Sequence, residues 1–314
     1  MPPAANRPRP IAIELNAVLV ALIDEEPQVL TLEDGALLPS GPFEGDHPTL
    51  QTGLRAWVER QTHHPLGYVE QLYTFADRSR AAATSGRRIV SISYLGLTRE
   101  RVTAGRHEPG WQSWYRYFPW EDWRGGVPAA FARQVMPRLR RWIDAAADPA
   151  VRRQRRQRVD INFAEASWNE DLVLQRYELL YEAGLVAEAG GRRPVTDPLA
   201  SAVIGAPMHY DHRRILATGI ARLRAKIKYR PVVFELMPPD FTLGQLQLAV
   251  EALAGRPLHK QNFRRLIDQQ GLVEETGGVS AETGGRPAKL YRFRREVLLE
   301  RAVAGSKLPL SRSS

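Results

Sequence analysis

The stretch FTLGQLQLAVEALAGRPLHKQNFRRLIDQQGLVEETGGVSAETGGRPAKLYRFRRE, Phe241 to Glu296, decides the reading of this chain. Thr242 is placed to cap a helix, with Gln245 three residues on in the capping-box position. Leu243, Leu246, Val250 and Leu253 recur at helical spacing as a buried stripe. Gly255 ends that helix and Pro257 blocks its continuation. In the next segment, HKQNFRRLIDQQ, the spacing turns Phe263, Leu266 and Ile267 inward and leaves Lys260, Arg264 and Arg265 outside, with Gly271 as the stop. Leu272-Val273 and Leu290-Tyr291-Arg292-Phe293 read as two strands around the Gly-rich tip TGGVSAETGGRPAK. Helix, turn, basic helix and basic hairpin make a winged helix-turn-helix, which sets its second helix in the major groove and its wing on the backbone.

The candidate DNA contacts are Lys260, Asn262, Arg264, Arg265, Arg286, Lys289 and Arg292. Taken alone, Arg264 and Arg265 fit a solvated helix face as well as a reader. The basic hairpin directly after them favours the reader. Asn262 suits adenine and the arginines suit guanine, but the sequence does not say which side chains reach bases.

Charge points the same way. The 314 residues carry a net +9. Ser201 to Ser314 holds 19 Lys/Arg and 10 Asp/Glu, while the first 200 residues hold 25 of each sign. The excess sits in the third that contains the winged helix, where phosphate binding needs it. A content of 43% hydrophobic and 25% charged residues fits a soluble globular protein of two or three domains. No cysteine is present, which excludes disulfides and thiolate metal sites and allows a cytoplasmic location. MPPAANRPRP has no apolar core and does not read as a signal peptide, and no run approaches the ~18 apolar residues of a membrane span.

Upstream, Ile11 to Ile23 reads as a buried strand interrupted by Glu14 and Asn16, and Val29 to Leu32 as a second. A helix is expected from about Thr49 to Thr62, with Leu50, Leu54 and Val58 on one stripe. Tyr68 to Phe75 and Arg88 to Leu97 alternate as strands do.

This order of strand, strand, Pro-Gly loop, helix and strand resembles a Nudix hydrolase domain. In that family a helix carries Arg-Glu and Glu-Glu pairs that hold Mg²⁺ against a diphosphate, since hard cations need oxygen ligands. Leu38 to Gly41 matches the opening of the family's box, and Glu44 stands as its early acid. Ala56-Trp57 stands where Arg-Glu belongs, Arg60-Gln61 where Glu-Glu belongs, and Glu59 is one residue out of place. The resemblance therefore implies a Nudix fold without hydrolysis. The alternative is an active hydrolase of ADP-ribose or another nucleoside diphosphate derivative, with Asp46, Glu44 and Glu59 as its acids.

A Nudix-like domain followed by a winged helix resembles the Nudix-related transcriptional regulators of NAD metabolism, the NrtR/NadQ-like regulators. Tyr210-Asp211-His212, RLRAKIKYRPV (Arg222 to Val232), FTLGQLQ, KQNFRR and RPAKLYRF (Arg286 to Phe293) carry that likeness. It implies a dimeric cytoplasmic repressor of NAD genes. Such a protein reads a palindromic operator in double-stranded DNA and answers to a nucleotide effector: NAD, ADP-ribose, ATP or a nicotinate nucleotide. No cofactor, membrane or metal is implied. Tyr73 and Phe75 are candidates for ring contacts with that ligand, and Arg55, Arg60 and Arg88 for its phosphates. His209, Asp211 and His212 resemble metal ligands in isolation, but a cluster before a helix more often caps and packs. A general nucleic-acid or RNA-binding protein would instead bind without palindromic preference.

Trp111 to Ala200 departs from the short form of that family. Trp111, Trp114, Trp120 and Trp123 crowd one stretch, as a core, an interface or a ring-stacking site. Ala129 to Ala147 and Trp168 to Val186 read as helices. Arg152 to Arg158 is a basic run, either a face that binds phosphate or DNA or a solvated one balanced by Asp144, Asp148 and Asp160. The expected class is α+β. A Nudix-like α/β/α sandwich at 11–230, with a helical insertion at about 111–200, precedes a winged helix at 231–300. A disordered 1–10 and a tail at 301–314 complete the chain.

Overall fold

A computed structural model describes residues 11–64, 66–76, 88–99, 110–165, 168–191, 201–280 and 287–296. The expectations for 1–10, for Arg286 and for the 301–314 tail lie outside them. Strands β1 (Ile11–Ile23), β2 (Glu26–Thr31), β3 (Ser40–Pro42), β4 (Tyr68–Phe75), β5 (Arg88–Leu97) and β6 (Gly110–Ser113) form one mixed sheet. Its order is β4-β5-β1-β2-β6, with β3 added against β1. β1 runs parallel to β5 and antiparallel to β2 and β3.

Period-two alternation divides β1 between two cores. Leu15, Ala17 and Leu19 join Leu54 and Val58 of helix α1 (Leu50–Thr62). Val18 and Val20 join the core that includes Ile215, Leu216 and Ile220. Those residues belong to the later helix His212–Ile227, where a Cβ on Gly219 would lie 2.8 Å from Val18. A side chain there would push the helix off the sheet. Helix, sheet and helix form the expected α/β/α sandwich. Thr49 caps α1 through a reciprocal box with Thr52, close to the predicted start.

The insertion is helical: α2 (Met136–Asp144), α3 (Pro149–Phe163), α4 (Val173–Glu182) and the short α5 (Ser201–Ile204), with the His212–Ile227 helix following as α6. The single helix predicted over Ala129 to Ala147 opens instead on a π-helical turn, Phe131–Val135. The helix predicted from Trp168 begins only at Val173, after the 3₁₀ turn Glu170–Leu172. Trp114 and Trp120 are fully buried and Trp123 nearly so, which places these three in the core. Among the described residues, no helix is long and apolar enough to cross a membrane.

His212 is an interior group, as packing would have it. Its Nδ1 accepts from the backbone N–H of Leu38 at 2.9 Å. Burial, aided by the charge of His209, lowers its pKa from the ordinary 6.5 to about 4. The fold therefore holds a neutral imidazole that the unfolded chain would protonate near pH 6.5. Its contribution to stability is complete above that pH and is lost as pH falls toward 4, about 3 kcal/mol in full. His212→Asn retains an acceptor for Leu38 and should flatten the dependence of Tm on pH between 4 and 6.5. A curve parallel to that of the wild type would assign the dependence to other groups.

The C-terminal unit is α7 (Leu243–Ala254), α8 (Lys260–Gln270) and the sheet β7-β9-β8, from β7 (Asp240–Thr242), β8 (Val273–Ser280) and β9 (Ala288–Phe293). The Thr242–Gln245 capping box is present, and Gly255 and Gly271 take the left-handed conformation as C-caps. The structure corrects two expectations. Leu266 is 51% exposed and is not a core residue. The Gly-rich tip is shorter than predicted, because Thr276 to Ser280 continue β8.

Candidate nucleic-acid interface

α8 presents one face to the body and one to solvent. Phe263 and Ile267 are its buried residues. At 100° per residue, the direction opposite their midpoint falls on Arg265, flanked by Gln261 and Gln269, with Asn262 beside them. By the same projection Arg264 stands on the shoulder of that face, about 100° round from Arg265, and Lys260, in the first turn, lies about 140° round, nearer the buried side. All six are exposed. Lys260, Arg264 and Arg265 have no carboxylate partner among the described residues. Gln261 and Gln269 were not among the sequence candidates. The helical projection from Phe263 and Ile267 finds them.

The hairpin cations are placed differently. Lys289 is paired with Glu275 at 2.8 Å and Arg292 with Glu274 at 2.6 Å, all at the surface. The Glu274–Arg292 pair is a direct cross-strand match of β8 with β9. Screening by water makes such pairs weak, so both cations are available to exchange a carboxylate for a phosphate.

A buried ion cluster joins this reader to the rest of the chain. Glu121 is 1% exposed and receives both fully buried guanidiniums of Arg176 and Arg224. Arg176 meets it twice, at 2.5 and 2.7 Å, and Arg224 at 2.6 Å. Burial alone would raise the Glu121 carboxyl, but the two arginines outweigh it and hold it below the usual carboxylate range. Arg224 also donates through Nε to the carbonyl of Leu253 at 2.8 Å, and the Tyr115 hydroxyl donates to that of Ala252 at 2.6 Å. Both carbonyls are among the orphans at the C-terminal end of α7. The backbone N–H of Trp123 donates to the Gly255 carbonyl at 2.6 Å. The Trp-rich segment thus closes the end of the first winged-helix helix.

Among the described side chains, the Tyr73 and Phe75 rings lie 4.9 Å apart, while Arg55 and Arg60 are engaged elsewhere. Arg55 donates to the carbonyls of Leu66 and Gly67. Arg60 lies 4.2 Å over the Trp57 ring. Phe75 is buried beneath the Arg214 guanidinium, 4.7 Å away, whereas Tyr73 beside it is 59% exposed. Arg88 belongs to β5, but its side chain is not among those described. A cavity of about 490 Å³ lies instead behind α8, walled by Leu246, Phe263, Leu266 and Ile267 with Tyr229 and Arg230. Leu266 lines it, which accounts for its exposure.

Among the described residues, one group could hold a cation: Glu44, Asp46 and His47, whose ligand atoms lie within 4.8 Å of one another. It sits in the loop before α1 and brings together two of the three suspected acids. His209, Asp211 and His212 form no such group.

The fold is that of a Nudix-like domain carrying a C-terminal winged helix. Residues 233–293 match the family model of the NrtR DNA-binding winged helix domain, so this segment is a winged helix of the NrtR type. The chain is 45% identical over 84 residues to the ADPR responsive transcriptional repressor NtrR of Acinetobacter baylyi. That alignment covers 27% of this chain and 33% of the relative, so the chain spans about a third of the length of the curated relative it matches. Shewanella oneidensis NrtR in complex with a 27mer DNA is similar over 91% of this chain and 94% of that one, at 20% identity and a TM-score of 0.50. A MutT/nudix family protein of Enterococcus faecalis is similar over 91% and 88%, at 16% identity and a TM-score of 0.51. At these identities the two structures speak for the fold alone.

Proposed function

We propose that the protein is a DNA-binding transcriptional repressor whose Nudix-like domain, at 11–230, senses a nucleotide related to NAD. The winged helix at 231–300 is its reader. The observation that carries this reading is the exposed face of α8, centred on Arg265, within a segment matched to a DNA-binding family. ADP-ribose is the first effector to test, because the Acinetobacter relative is described as responsive to it. A homodimer would set two readers on a palindromic operator with fixed half-site spacing. In the sensor, Tyr73 offers the exposed ring.

The experiment is a gel shift of the full chain on DNA upstream of NAD-synthesis genes, at stated salt, adding NAD, ADP-ribose and ATP in turn. A sequence-specific shift altered by one nucleotide supports the reading and gives the effector's sign. Equal binding to scrambled DNA, unmoved by any nucleotide, would sink it. An effector must bind the DNA-competent and incompetent states unequally to change anything.

The Glu44–Asp46–His47 group favours a second reading, a metal-dependent hydrolase. Against it, the exposed face of α1 offers Glu59 beside the cation Arg60 and no second carboxylate. The first reading predicts no Mg²⁺-dependent turnover of ADP-ribose. Robust turnover abolished by Glu44→Gln or Asp46→Asn would establish the second.

A further inference from the structure

The helical hairpin of α2 and α3 is a concentrated cationic surface outside the winged helix. Residues 129–164 contain nine arginines and three aspartates, a net +6. The rest of the first 200 residues carries sixteen basic and twenty-two acidic side chains, a net −6. The hairpin is therefore a local reversal of sign and does not follow from a general richness in arginine. Its charge density exceeds that of the C-terminal third.

The packing keeps these cations at the surface. Leu139 and Ile143 of α2 and Val159 and Phe163 of α3 face inward. Arg133, Arg140 and Arg153 stand exposed, with no carboxylate partner among the described residues. Arg156 reaches Asp144 only at 3.7 Å, with both side chains more than 60% exposed. The aspartates do not neutralise the surface. Asp148 is occupied in capping α3, accepting from the N–H of Ala150 at 2.8 Å.

The hairpin is also tied to the reader. Arg158 of α3 pairs with Glu182 of α4 at 2.6 Å. Arg176 of α4 shares Glu121 with Arg224 of α6, which in turn holds the end of α7. The path from α3 to α7 runs through the half-exposed Arg158–Glu182 pair and then the buried Glu121 cluster, which ties the two cationic surfaces to one frame.

We propose that the α2–α3 hairpin is a second, sequence-independent grip on the DNA backbone, acting beside the winged helix. This rests on the DNA-binding reading above. An array of guanidiniums along two helices matches a row of phosphates, which each can meet with paired N–H donors. A second grip on the same duplex adds to affinity through local concentration without adding sequence information.

The test is fluorescence anisotropy of the full chain with a long duplex of random sequence, across a series of KCl concentrations. The variant is R133Q with R140Q and R153Q. Each phosphate left without its guanidinium takes about 0.9 from the slope of log K against log salt, so the triple variant should be shallower by about 2 to 3. Its affinities for specific and random duplexes should fall by the same factor. An unchanged slope in a folded variant overturns the proposal. The reader control is K260Q with R264Q. If that control loses slope while the hairpin variant does not, only this inference fails. If the wild type itself shows no salt-dependent binding, the DNA-binding reading fails with it. Should the triple variant not fold, D144N with D160N adds two net positive charges at the surface. Binding should then tighten and the slope steepen, and an unchanged affinity would count against the hairpin.

Discussion

Glu121→Ala should destabilise the protein by about 3–5 kcal/mol, because it leaves two arginines buried without an anion. Arg176 and Arg224 are both fully buried, and Glu121 is the carboxylate that each contacts. Removing it leaves charge that cannot reach water and cannot shed its proton. Glu121→Gln keeps the shape and one acceptor but not the charge, and should cost less than alanine while remaining well below wild type. Replacing all three groups with apolar residues of similar volume should cost less than either single change, since desolvation of the whole cluster is then relieved. Chemical denaturation of the four proteins measures this directly. If Glu121→Ala unfolds at the wild-type denaturant concentration, the cluster is not what joins the insertion to α7. Acid should act in the same direction. The folded pKa of Glu121 lies below its ordinary value, so its stabilisation is present at neutral pH and is lost as pH falls through the acid range. Amide exchange at Ala252 to Gly255 should rise before global unfolding, because Arg224, Tyr115 and Trp123 no longer hold those carbonyls in place.

None of this cluster was legible in the sequence, and the reason is distance along the chain. Glu121 lies 55 residues from Arg176 and 103 from Arg224. No local pattern distinguishes these two arginines from the others on their helices. What could be read was set within a few residues. The Thr242–Gln245 box spans three positions, and Gly255 and Gly271 supply left-handed caps that other residues resist. The strands of the sandwich were visible because alternation is a property of each strand by itself. Register is not such a property, so the pairing of Arg292 with Glu274 emerged only when β8 met β9. Leu266 misled for a related reason. Its spacing is that of a core residue, but the surface it faces is a cavity between α8 and the end of α6. The Trp-rich stretch offered core, interface and stacking, and burial of Trp114 and Trp120 decides for the core.

Arg265→Ala should reduce affinity for a specific operator by about 1–3 kcal/mol, roughly five- to two-hundredfold, and relax the sequence preference at one position. Arg264→Ala and Lys260→Ala should act otherwise, weakening binding to all sequences alike and lowering the salt slope by about one each. The distinction follows from helix geometry. Phe263 and Ile267 fix the buried side of α8, and Arg265 points directly away from it. A helix lying in the major groove turns that outermost residue to the base edges, where a guanidinium meets the O6 and N7 of guanine. Arg264 lies on the shoulder about 100° round from Arg265, and Lys260 lies further round in the first turn, so both stand nearer the groove walls and therefore the phosphates. Gln261 and Gln269 share the outer face with Arg265, so their replacement should also change preference more than affinity. The measurement is selection from a randomised operator library, followed by salt titration on the best and a scrambled site. If Arg264→Ala changes the preferred base while Arg265→Ala lowers all affinities equally, α8 enters the groove rotated from the orientation its buried residues dictate. If neither substitution affects any duplex, α8 is not the reader.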